Sequence, residues 1–316
     1  MTSTTDQVDT PAPSAAATRW LTFAWGLAIG AGSALVGLLP WLITGMRLPL
    51  QNLWETTVDP EAMPIALLPF SQYSITLIVG LIVFGSAVAG LLGRTFRERL
   101  SRRGFLGIAL GAFLVQIGAA TQSTLVVASG LPGDSLAAIY LTGLIAVAVV
   151  SIGVGALVMV LIGRAARPGA TLGFAMAAVS VEAWLSALVV PPGTFVTEAS
   201  MWWLDLARYL PAIIVGVAIA WCGIRSIGGV IAAVGSLLIL WIAPVALVSV
   251  SVAVGSRAIA SQPDQMLDYG GEVFISVLMT AQNSIPPLVI AIVVAGIGLA
   301  SRQLISSWPR RSREAE

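Results

Sequence analysis

Eight times between Trp20 and Ala300 the sequence runs on almost without charge for about 20 residues or more, enough for a helix at about 1.5 Å per residue to cross a hydrocarbon core about 30 Å thick. No other feature constrains the fold as much. The runs are Trp20 to Ile43, Ser74 to Gly93, Phe105 to Ala128, Ala137 to Gly163, Thr171 to Val190, Leu206 to Ile224, Val230 to Val254 and Val273 to Ala300. The sixth is short and carries Pro211 near its start, which makes it the least regular. They predict an all-α, polytopic transmembrane helix bundle over residues 19–302. Residues 1–18, rich in Thr, Ser, Ala and Pro, are expected to be a disordered tail, and residues 303–316 a basic one. Asp6 and Asp9 precede the first run, where a cleaved secretory leader would carry basic residues, so that run is expected to be retained.

Composition agrees: 57% of residues are hydrophobic, 10% are charged and the mean hydropathy is +0.94, outside the range of water-soluble domains. All sixteen basic residues are Arg, a bias expected of a high-GC bacterial genome. Thirteen of them fall on one side of the alternating loops: Arg19, the cluster from Arg94 to Arg103, Arg164, Arg167, Arg225 and the four from Arg302 to Arg313. Only Arg47, Arg208 and Arg257 fall on the other. Arginines at span ends hold loops in the cytoplasm, so both termini are expected to be cytoplasmic, in a bacterial inner membrane, with the Arg94 to Arg103 loop as a topology anchor.

Several function classes need residues that this chain lacks. Without a histidine it cannot build an HExxH protease or a Ser-His hydrolase, and it has neither a P-loop nor a glycine-rich nucleotide fingerprint. A net charge of +1 with dispersed arginines gives no nucleic-acid surface. The lone Cys222, inside an apolar run, reads as a small buried hydrophobe. No cofactor or metal is implied. The expected partners are the lipid bilayer, other membrane proteins or further copies of the chain. Small residues four apart predict where helices touch: Gly26 with Gly30, Ser86 with Gly90, and Ser151 with Gly155. Spans three, five and seven each open on glycine (RRGFLGIALG, RPGATLGFAM, IGGVIAAVG), the trace of a repeated helical hairpin.

Two polar groupings are candidate sites. In AVSVEAWLSAL, Glu182 stands inside an apolar span, on one helical face with Ala175, Ala178 and Ser186. Gln116 in span three, and Gln282 and Asn283 just before Ile285-Pro286-Pro287 in span eight, are expected at similar depth, which would make one midplane polar site. The alternative role for Glu182 is structural, protonated and hydrogen-bonded between helices. The second grouping is the external loop MRLPLQNLWETTVDPEAMPIALLPFSQYS, with Glu55, Asp59 and Glu61; its MPIALLPF stretch is too short to span and reads as re-entrant or interfacial. Three functions fit. The leading one is a non-enzymatic membrane subunit or scaffold acting through partners. The next is a small permease-like transporter with a midplane site around Glu182. The last is a polyprenyl-linked glycosyltransferase-like enzyme using Asp59 and Glu61 as an acidic pair.

Overall fold

A computed structural model describes residues 15–49, 51, 53–56, 58–100, 102–192, 194–256 and 262–307. Ten helices account for most of them: α1 Ala15–Leu42, α2 Ile75–Thr95, α3 Arg102–Gly130, α4 Ser135–Arg164, α5 Arg167–Val189, α6 Glu198–Ala207, α7 Leu210–Cys222, α8 Ile227–Gly255, α9 Pro263–Met279 and α10 Ala281–Ser307. Eight segments, with α6 and α7 counted together, are long and apolar enough to cross a membrane. The expected all-α bundle of about eight spans is the fold observed. Leu106, Leu110, Leu114, Ile117 and Leu125 form an exposed stripe along α3 that only lipid would solvate well. Within the expected tails, α1 begins at Ala15 and α10 continues to Ser307, while residues 1–14 and 308–316 lie outside the described residues.

Two apolar runs are broken differently from the sequence expectation. Span six is extended to Glu198–Cys222 and divided at Arg208 and Tyr209, because Pro211 has no N–H to continue the ladder from α6. The eighth run is not one helix. It breaks at Thr280, whose backbone is extended, and the part that crosses is Ile285–Leu304. Pro286 and Pro287 in the second turn of α10 leave the carbonyls one turn earlier without donors, so the helix begins shortly before them. α9 packs on the last turns of α8, with Gly270 against Ala253 and Ser249.

The helix contacts repeat. In the first four spans α1 packs mainly on α3 and α2, and α2 on α4. In the second four, α5 takes the place of α1, packing on α8 and α7, and α7 packs on α10 as α2 does on α4. Both units run in the same direction, since α1 and α5 both start at the arginine-rich end, so this is a parallel repeat of four spans. Small residues make the equivalent contacts in both halves. A Cβ on Gly90 of α2 would lie 2.8 Å from Met159 O of α4, and one on Gly216 of α7 would lie 2.7 Å from Ala291 O of α10. Gly111 of α3 meets Leu27 of α1, as Gly235 of α8 meets Leu172 of α5. Arginines lock the same helix pair at its charged end: Arg94 Nη1 donates to Ile162 O (2.8 Å) and Ala165 O (3.0 Å), and Arg302 Nη1 to Ala220 O (2.6 Å) and Trp221 O (3.0 Å). In each case a cation satisfies the orphan carbonyls at a helix C-terminus.

The three small-residue pairs read from the sequence all lie in helix contacts. Gly26 and Gly30 bring α1 against the backbone of Gly104 and Ile108 in α3. Ser86 and Gly90 face Gly155 and Met159 of α4, and Ser151 bonds back to Val147 O within α4.

Candidate functional site

The two halves differ at the end away from the arginines. In the first, the loop after α1 folds down among α1 to α4: Leu48, Met63, Ala66, Leu68 and Phe70 are all buried in one cluster with Trp41, Ile78 and Leu144. Its irregular backbone is bonded by side chains of the spans. Leu67 N–H donates to Gln122 Oε1 (2.8 Å), Leu68 N–H to Ser123 Oγ (2.8 Å), Gln122 Nε2 to Ile65 O (2.9 Å) and Trp41 Nε1 to Ala66 O (2.8 Å). Gln122 and Ser123 lie about 12 Å below the Gly130 end of α3 at the helical rise, so MPIALLPF is a re-entrant plug. Non-helical backbone survives at such depth only when protein groups satisfy it. Glu55, Asp59 and Glu61 are on the outer surface of the loop, all exposed. Asp59 and Glu61 belong to a 3₁₀ turn, Pro60–Ala62, in which the Asp59 side chain makes no capping bond. Among the described residues, no three acidic, histidine or cysteine side chains are grouped as metal ligands.

The second half keeps its space open. A cavity of about 480 Å³ lies between α5, α6, α7, α8, α9 and α10, with Glu182 and Ser186 on one wall, Asp205 and Arg208 at its mouth, and Trp241 opposite. Proline builds the lining: Pro211, Pro244 and Pro287, from α7, α8 and α10, all reach it. Pro244 and Pro287 each remove one ladder bond inside their helices, leaving a carbonyl for water or a ligand, while Pro211 separates α7 from α6. The face predicted for Glu182 is the face observed, since Ala175 and Ala178 are fully buried against Ala212, Val215, Leu240 and Ala291. On the far side of α5, Trp184 donates to Gly37 O (3.0 Å) and stacks on Phe84 at 4.3 Å, fixing the rotation of the helix.

In this lining the indole N–H of Trp241 is buried without a hydrogen-bond partner among the described residues, and the Glu182 side chain is partly buried. Asp205 and Arg208 lie 3.8 Å apart, both largely exposed, and the Arg208 charge acts on Glu182 as well, so the lining holds two acids and one arginine.

Of the residues expected to share one site with Glu182, Gln116 does not line its cavity. Gln116 is buried at the middle of α3, about 21 Å from either end, where Nε2 donates to Ile82 O (3.1 Å) and Ser86 Oγ (2.9 Å), tying α3 to α2 away from the cavity. Gln282 and Asn283 belong to the first turn of α10 by backbone, and their side chains lie outside the described residues. Glu182 itself is above the midplane, about 10 Å from the Val189 end of its helix, because α5 starts at Arg167, a turn earlier than the apolar run. Sequence reading missed Asp205, Arg208 and Trp241. The only signal for them was a charged pair beside Pro211 in an otherwise apolar span. No protein family, curated protein or solved structure matches the chain.

Proposed function

We propose that this multi-pass membrane protein is a carrier for a small organic cation or zwitterion, and that the solute binds in the Glu182 cavity. The observation that carries the reading is a carboxyl, Glu182, in the wall of an intramembrane cavity of small-molecule size, with the unpartnered indole N–H of Trp241 buried in the same lining. Glu182 and Asp205 outnumber Arg208 in the lining, so the balance of charge favours a positive solute. The remaining features are those a carrier uses: an intramembrane acid facing the bundle interior, helices interrupted by proline around the site, and a parallel repeat whose halves can rock against each other. With the arginine-rich ends in the cytoplasm, as in a bacterial inner membrane, the cavity faces the exterior. A subunit acting only through partners would need no such internal site.

Heating the purified protein in detergent against a panel of small amines, quaternary ammonium ions and amino acids tests this. At least one solute should raise the unfolding midpoint saturably, by the mass-action stabilisation that any native-state ligand gives. Glu182→Gln keeps the shape of the side chain and should unfold at the wild-type midpoint without solute, yet lose that response. A wild-type protein indifferent to the whole panel, or a Glu182→Gln variant stabilised as strongly as wild type, would reject the reading.

A further inference from the structure

A second cavity, about 470 Å³ in volume, opens at the opposite end of the same half, where α5 and α8 begin and α7 and α10 end. Arg167, Arg225 and Arg302 line it, and no acidic residue does. Among the described residues none of the three has a carboxylate within 4.0 Å; the one ion pair found is that of Asp205 with Arg208. Their positions are built rather than incidental. Arg302 is held by its bonds to Ala220 O and Trp221 O, which occupy one terminal nitrogen and leave the rest of its planar fork for another acceptor. Arg167 lies over the Trp221 ring, 5.8 Å from its centroid. Gly223, at φ 81°, turns the chain so that Arg225 and Ser226 lie beside these two. Ser226 caps α8, accepting from Gly229 N–H at 3.1 Å, so the positive end of that helix dipole adds to the same field.

We infer that this cavity binds the phosphate headgroup of an anionic phospholipid. Arginine forks match phosphate oxygens in two-point contacts, and basic pockets between spans at the charged face of a membrane suit such headgroups. The neighbouring surface favours a lipid over a free anion. Ile224 and Leu299 share the lining with the arginines, and Ile227 and Ile297 stand exposed nearby, 82% and 64% accessible, where acyl chains would run. A seated lipid would bridge α5, α8 and α10 and brace the half of the protein that holds the open cavity.

Full-length protein in phosphatidylcholine vesicles, doped with trace phosphatidylglycerol carrying a diazirine near its headgroup, gives the test. Light should attach the probe within residues 222–226 and 299–303. A phosphatidylcholine probe of the same design should label them weakly, and excess phosphatidylglycerol should compete while inorganic phosphate should not. Arg225→Gln should cut the yield about fivefold, the effect of one arginine near a charged membrane surface, whereas Arg47→Gln, at the other end of the molecule, should leave it unchanged. Equal labelling by both lipids, or a full yield from Arg225→Gln, would overturn the inference. Displacement by inorganic phosphate would overturn it in favour of a free anion. Should Arg225→Gln fail to fold, the comparison of the two lipids on wild type still decides.

Discussion

Replacing Gly30 by Leu should leave almost no folded protein in the membrane, whereas the same replacement at Gly32, two residues along the same helix, should be tolerated. A Cβ on Gly30 would overlap Ile108 O and lie 2.7 Å from Ile108 C and 2.9 Å from Ala112 N. All three are backbone atoms of α3, so no side chain can rotate away; the helices must separate. Separation would also open the contacts at Gly26, Gly107 and Gly111, since these meet the same helix pair. Overpacking a core costs about 1–3 kcal/mol even when side chains can adjust, and here they cannot, so the loss should approach the whole of a marginal stability of about 5–15 kcal/mol. Gly32 has nothing within 4 Å of its would-be Cβ and faces outward. Fluorescence-detected size exclusion of tagged variants reads both. A monodisperse Gly30→Leu peak at wild-type height would show that α1 and α3 do not pack as described.

The double variant Gln122→Leu with Ser123→Ala should release the plug while sparing the bundle. These side chains accept from two successive N–H groups, those of Leu67 and Leu68, and Leu68 is fully buried. Leucine and alanine fill similar space but accept nothing, and a buried donor left unpaired costs about 1–3 kcal/mol. Two of them amount to about 2–6 kcal/mol, concentrated at the deepest turn of the loop, while its other bonds, such as Trp41 Nε1 to Ala66 O, stay in place. Hydrogen exchange should therefore accelerate sharply across residues 63–70, while the amides of α1 and α3 around Gly30 and Ile108 stay protected. Unchanged protection of Leu67 and Leu68 in the variant would mean that the spans do not hold the loop.

Much of this architecture was legible before any coordinates, and the reasons differ from element to element. Gly26 with Gly30 announced the α1 contact because four-residue spacing puts both on one face, a property of the helix alone. MPIALLPF announced a re-entrant segment because it is apolar yet too short to span. Its anchors were hidden: Gln122 and Ser123 bond residues 55 positions earlier, and no local pattern encodes a partner so distant. Glu182 stood out because a carboxylate in an apolar run is costly, but its companions come from other helices, and Pro211, Pro244 and Pro287 converge only in three dimensions. Its depth was misjudged because Arg167-Pro168-Gly169 reads as a loop, although proline fits well within a first helical turn and here helps open α5. Pro286 and Pro287 announced a broken eighth span, but not that the break would fall at Thr280, before them.

The parallel repeat gives the two halves a meaningful difference. One half closes the end away from the arginines with a hydrogen-bonded loop, and the other leaves the equivalent end open around Glu182. The lone Cys222 makes that claim directly measurable, because Cys222→Ser yields a background without thiols. Single cysteines at Ser186, in the wall of the Glu182 cavity, and at Ser123, beneath the plug, can then be exposed in intact cells to a membrane-impermeant maleimide. The account predicts rapid labelling of Ser186→Cys from outside and labelling of Ser123→Cys only after denaturation. A Ser186→Cys variant that stays unreactive in the folded protein, or one that reacts only when the cytoplasmic face is exposed, would contradict an outward-open cavity at Glu182.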